Sequence, residues 1–185
     1  MGLTIHYNLR SAARWPQQAW DMVARLRGPA LDLPFERVGD TVELQGAQCN
    51  HEQYDRDHPH RWLLIQAGQY VDDPQNAGYS YGVTPQHVIA FSTWPGAGCE
   101  EANFGLCRYP SAIEVDNPVR RGNKRRIATR LAGWRWASFC KTQYASNPQH
   151  GGVANFLRCH LAVITMLDHA RSLGILSQVN DEGGC

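Results

Sequence analysis

The segment GWRWASFCKTQY, Gly133 to Tyr144, holds no turn residue after its first glycine. As a strand it sets Trp134, Trp136, Ser138, Cys140, Thr142 and Tyr144 on one face and Arg135, Ala137, Phe139, Lys141 and Gln143 on the other. A plain core strand carries Val, Ile or Leu on its inner face. Hydroxyls and indole N–H groups buried without partners cost about 1 to 3 kcal/mol each. The first row is therefore either a pocket wall or a core whose polar groups are all satisfied.

Working outward, the sequence predicts a long helix from about Val153 to Leu173, closed by Gly174. Its apolar stripe runs Val153, Phe156, Leu157, His160, Leu161, Ile164 and Leu167, which turns His160 toward the sheet. An edge strand at Ile175 to Val179 follows. Upstream, residues 117–130 carry Arg120, Arg121, Lys124, Arg125, Arg126 and Arg130 without one acidic side chain, and read as a basic mobile loop. Phe104 to Tyr109 and His87 to Trp94 read as strands, the latter central because both its faces are apolar. Between them, Pro95-Gly-Ala-Gly brings small residues that let backbone approach a ligand closely, followed by Cys99, Glu100 and Glu101.

Toward the N-terminus, strands are expected at Leu3 to Leu9, Thr41 to Gln45, Trp62 to Val71 and Tyr79 to Val83. A helix is expected from Ser11 to Arg27, capped by Ser11 and stopped at Gly28-Pro29, with Trp15, Ala19, Met22, Val23 and Leu26 on its inner stripe. Residues 48–61 concentrate Cys49, His51, Asp55, Asp57, His58 and His60. They lack any metal-ligand spacing and read as a solvated loop, so neither a metal nor a cofactor is expected.

Three function classes follow. Cys140 and His160 contain the parts of a cysteine–histidine dyad, in which imidazole takes the thiol proton and the thiolate attacks. A binding module instead uses Trp94, Trp136 and Tyr144 as walls, with Cys99, Glu100, Arg108 and His160 as the polar groups that orient a small molecule or protein partner. The alternative is nucleic-acid association through Arg120, Arg121, Lys124, Arg125 and Arg126 beside the nearby indoles.

The 185 residues, 43% of them hydrophobic, suffice for one core, and a single domain over 1–185 is expected. A formal charge of +1 excludes a globally basic nucleic-acid binder and leaves only local patches. The start lacks the basic and apolar regions of an export signal, and no apolar run is long enough to span a bilayer, so a cytoplasmic location without membrane contact is expected. With no export signal, the six cysteines are read as free thiols.

The phrases Met1 to Tyr7 (MGLTIHY), Ile89 to Pro95 (IAFSTWP), Ala102 to Pro110 (ANFGLCRYP) and Phe139 to Ser146 (FCKTQYAS) resemble a group of uncharacterised bacterial proteins along most of the chain. The resemblance implies no activity, cofactor or catalytic residue. The similar proteins continue beyond Gly184 into a further helical segment, which leaves a truncated chain open. The order of elements itself predicts an α+β fold, a mostly antiparallel sheet with helices packed on one face, ferredoxin-like with a strand insertion. A parallel hydrolase-like sheet fits less well, because too few helices separate the middle strands and no Gly-x-Ser-x-Gly occurs.

Overall fold

The computed structural model describes residues 3–116 and 122–182. The fold is α+β, with a seven-stranded antiparallel sheet and two separate hairpins. β1 (Thr4–Ser11) leads into α1 (Pro16–Ala30), then β2 (Arg37–Val38) and β3 (Val42–Gln45). α2 (Pro59–Ala67), β4 (Gln69–Asp72), β5 (Ser80–Val83) and β6 (His87–Trp94) follow. β7 (Ala102–Arg108), β8 (Ala112–Asp116), β9 (Lys124–Ala128), β10 (Trp134–Lys141), α3 (Gly152–Ser172) and β11 (Leu176–Asp181) complete it. The sheet order is β11-β1-β10-β7-β6-β2, with β3 also on β6, while β4 pairs β5 and β8 pairs β9.

β10 has the alternation its sequence dictates: Trp134, Trp136, Ser138 and Cys140 are buried and the residues between them partly exposed. In register, Ile5, Tyr7 and Leu9 lie opposite Cys140, Ser138 and Trp136. Phe91 lies opposite Phe104 and Ile89 opposite Leu106 on the same side. This inner face packs under α1 and α3, which bury Ala19, Val23, Leu26, Val163, Met166 and Ala170 in one apolar cluster with it. β6 and β7 are buried on both sides because α2 covers the opposite face at the sheet's centre.

Several elements differ from the sequence expectation. Trp62 to Val71 is not one strand: α2 runs to Ala67, and only β4 beyond Gly68 is extended. Pro59 at the first helical position and the His58 ring, whose Nδ1 accepts from the His60 N–H at 3.2 Å, start a helix there. Ser11 belongs to β1, and α1 begins after Trp15, which is 67% exposed rather than in the core. On α3 the buried face centres on Cys159, Val163, Met166 and Ala170, and Val153, Leu157 and Leu161 lie on the exposed side. The basic run is not wholly loop, since Lys124 to Ala128 is β9. Arg120 and Arg121 lie outside the described residues.

Candidate functional site

β10 and β7 pair at one position, Arg135 opposite Cys107, and the ladder between them then lapses. Backbone groups left bare by such a gap need other partners. Tyr7 Oη and Trp136 Nε1 both donate to the Asn103 carbonyl, at 2.6 and 2.8 Å. Gln66 of α2 supplies the rest. Its Nε2 donates to Glu101 O (3.4 Å) and Phe139 O (3.3 Å), and its Oε1 accepts from Asn103 Nδ2 (2.7 Å) and Ser138 Oγ (2.9 Å). These four bonds use the full capacity of a side-chain amide. Trp136, Ser138 and Cys140 of the polar row on β10 thus have partners in the core, whereas Trp134 Nε1 is buried with none among the described residues; Trp136 and Ser138 also border two depressions.

Cys140 sits on this row with its Sγ donating to Glu100 O at 3.3 Å. Burial pushes its thiol well above the usual range, and the neighbouring Glu100 and then Cys159 push it further. Cys99 is raised in the same way by burial, then by Cys159 and Cys140. The small residues at 96–98 do permit close approach, but it is the chain itself that comes close. A Cβ on Gly98, whose φ is +80°, would lie 2.6 Å from Tyr144 O. Asn155 Nδ2 donates to Ala97 O (3.0 Å), Arg158 Nη1 to Pro95 O (3.0 Å) and Cys159 Sγ to Pro95 O (3.2 Å), so α3 holds this loop by its backbone.

His160 is buried and faces the sheet, but both of its ring nitrogens have partners other than Cys140. Nδ1 lies 3.0 Å from Thr142 Oγ1, and Nε2 lies 3.1 Å from Asp181 Oδ2. Hydroxyl, imidazole and carboxylate in series are the layout of a hydrolase triad. Here Thr142 is fully buried, and the series joins the residue just after β10 to α3 and β11 in the interior. Of the other candidates, Trp94 Nε1 donates to Cys99 O at 3.3 Å, and Arg108 lies over the Trp134 ring at 5.8 Å. Tyr144 has left the strand for a 3-10 turn, Gln143–Ser146, and is exposed. Five depressions stand out among the described residues, and none has Cys99, Glu100, Cys140, Tyr144 or His160 in its wall.

Three of the described basic residues in this run lie against acids. Arg125 bonds buried Asp73 through two nitrogens, Lys124 lies opposite Asp116, and Arg126 lies opposite Glu114. Trp134 and Trp136 are each 1% exposed, so neither ring is available to stack on a base.

The open space lies on the other face of β1 and β10, beyond the edge of α2. Three cross-strand pairs form its floor: His6 opposite Phe139, Asn8 opposite Ala137, and Arg10 opposite Arg135. Trp62, Ile65, Gln69 and Tyr70 wall a depression of about 430 Å³ over the first two pairs. A second, of about 260 Å³, covers Arg10 and Arg135 and reaches Ser177 and Gln178 of β11. Asn8, Gln69 and Ala137 line both, so the two are one groove, apolar at one end and cationic at the other.

Sequence reasoning passed over Gln66, Arg10 and Arg135. A lone amide in the apolar run WLLIQA was a legible sign of a buried polar tie, whereas the arginine pair exists only through strand register. No family model, curated protein or solved structure matches the chain.

Proposed function

We propose that the protein is a binding module for a small molecule with a planar apolar body, held in the groove between α2 and the open face of β1 and β10. The observation that carries this reading is the exposed apolar wall: Trp62, Ile65 and Tyr70, 36%, 41% and 77% exposed, gather around one depression whose floor includes the Phe139 ring. Aromatic surface grouped around a concavity, with a few amides at its margin, is the usual composition of a ligand site. Cysteine chemistry has less support, since the thiol of Cys140 is buried, protonated and bonded to a carbonyl. For the scaffold we propose a ferredoxin-like unit with inserted strands, supported by the order β11-β1-β10-β7 with α1 and α3 in its two crossovers.

The test is an amide-resolved NMR titration with 1-naphthol. Shifts are expected to cluster at Trp62, Ile65, Gln69, Tyr70, Ala137 and Phe139, and Ala137→Phe, which fills the floor, is expected to abolish them. Shifts scattered over the surface, or gathered at residues 95–100, would remove the groove as the site.

A further inference from the structure

Arg10 and Arg135 are directly opposed across β1 and β10, so two guanidiniums share one side of the sheet. Like charges in that arrangement repel and are ordinarily avoided. Ion pairs tie Arg27, Arg37, Arg125, Arg158 and Arg171 to carboxylates, and none involves Arg10 or Arg135 among the described residues. Arg135 Nε is shielded from solvent with no hydrogen-bond partner among the described residues. Burial, and then the charge of Arg10, lower the hold of Arg135 on its proton, with Tyr109 opposing them. Neutral side chains ring the pair: Asn8, Gln69, Ser177 and Gln178.

We propose that Arg10 and Arg135 jointly bind the phosphate of an aromatic phosphate monoester whose ring system occupies the apolar length of the groove. Two guanidiniums match the charge of about −1.5 to −2 that a phosphate monoester carries near neutrality, where a carboxylate brings only one charge and suits one bidentate arginine. Length agrees as well. From Phe139 to Arg135 the strand advances four residues, roughly 13 Å, the span of a mononucleotide-sized ligand. Gln178 accepts from Asn8 Nδ2 through its Oε1 at 3.2 Å, which leaves its amide nitrogen to add a neutral donor at the phosphate, with no other partner for it among the described residues.

This inference rests on the groove being the binding site, and the experiment separates the two. Calorimetric and NMR titrations at low ionic strength would compare 1-naphthyl phosphate, 1-naphthoate, 1-naphthol and inorganic phosphate on the wild type, Arg10→Gln and Arg135→Gln. The phosphate ester is expected to bind at least about tenfold more tightly than naphthol, and more tightly than naphthoate. Each variant should erase that margin, and salt should weaken it. Equal affinity for naphthol and naphthyl phosphate, or a margin that survives both substitutions, would overturn the phosphate site and leave the groove standing. Equal affinity for naphthoate and the ester would overturn the assignment to phosphate. Inorganic phosphate binding that needs both arginines, with naphthol silent, would keep the anion site and remove the aromatic groove. Silence of all four probes would remove both. Amide spectra of the two variants verify that they remain folded.

Discussion

Gln66 shows how a single amide substitutes for a missing stretch of ladder. The gap between β7 and β10 leaves Glu101 O and Phe139 O without strand partners, and Gln66 reaches both while taking protons from Asn103 and Ser138. Leucine at this position would keep the volume but leave those buried groups bare. Each such group costs about 1 to 3 kcal/mol, and relaxation recovers part of the total. Gln66→Leu is thus expected to lower unfolding stability by about 2 to 4 kcal/mol, measured by urea denaturation; a change under 1 kcal/mol would show that the gap is satisfied some other way. Cys140 makes the opposite kind of prediction at this scale. With its thiol raised by burial, site-resolved alkylation by iodoacetamide at pH 8 should label Cys140 in urea but not in the native protein over hours. Native labelling at the rate of a free thiol would reopen the nucleophile reading.

Among the elements, α2 and β10 show what local pattern conveys. β10 alternates so strictly that its two faces follow from the residues alone, and the structure keeps them. Trp62 to Val71 was ambiguous for a physical reason: a short apolar run fits a buried helix turn as well as a strand, and the decision fell to Pro59, the His58 cap and the need to place Gln66 over the gap. The hairpins β4-β5 and β8-β9 pair with no strand of the main sheet, and Arg125 of β9 ties them together by bonding Asp73 just beyond β4. Hydrogen bonds from Arg125 hold the Asp73 carboxyl well below the usual carboxylate range, burial opposes them, and Asn76 and the Gln75 N–H assist. The folded value lies below the unfolded one, so this tie stabilises above about pH 4 and its contribution is lost as pH falls through the folded value. Asp73→Asn is expected to lower thermal stability at pH 7 and to flatten its dependence on pH below about 4. A variant whose acid limb parallels the wild type would separate the ion pair from acid stability.

Over the whole molecule, the sheet has unequal faces. One is sealed by α1 and α3; the other is covered by α2 only at the centre, which leaves β1 and β10 open beside it. The groove follows from that inequality, and so does the unrelieved pair Arg10 and Arg135. Without ligand, removing one of the two charges should leave stability unchanged or raise it by a few tenths of a kcal/mol, since like charges directly opposed in a sheet repel. Loss of more than 1 kcal/mol in Arg10→Gln, read from denaturant midpoints, would mean that the pair has a structural duty instead.

The strands β1, β6, β7 and β10, the long C-terminal helix and the α+β class could be read from the chain because alternation and helical period are local properties, set by which neighbours are apolar. Alternation likewise turned Cys140 inward, whereas the stripe that turned His160 toward the sheet also included Val153, Leu157 and Leu161, which lie exposed. The residues alone could not say what Cys140 and His160 would meet there. That Cys140 would meet a carbonyl, that His160 would meet Thr142 and Asp181, and that two arginines 125 positions apart would stand side by side depend on strand order and register. Those are settled only when the whole sheet assembles, because hydrogen-bond partners and charge neighbours across strands are properties of the packed chain and of no single stretch of it.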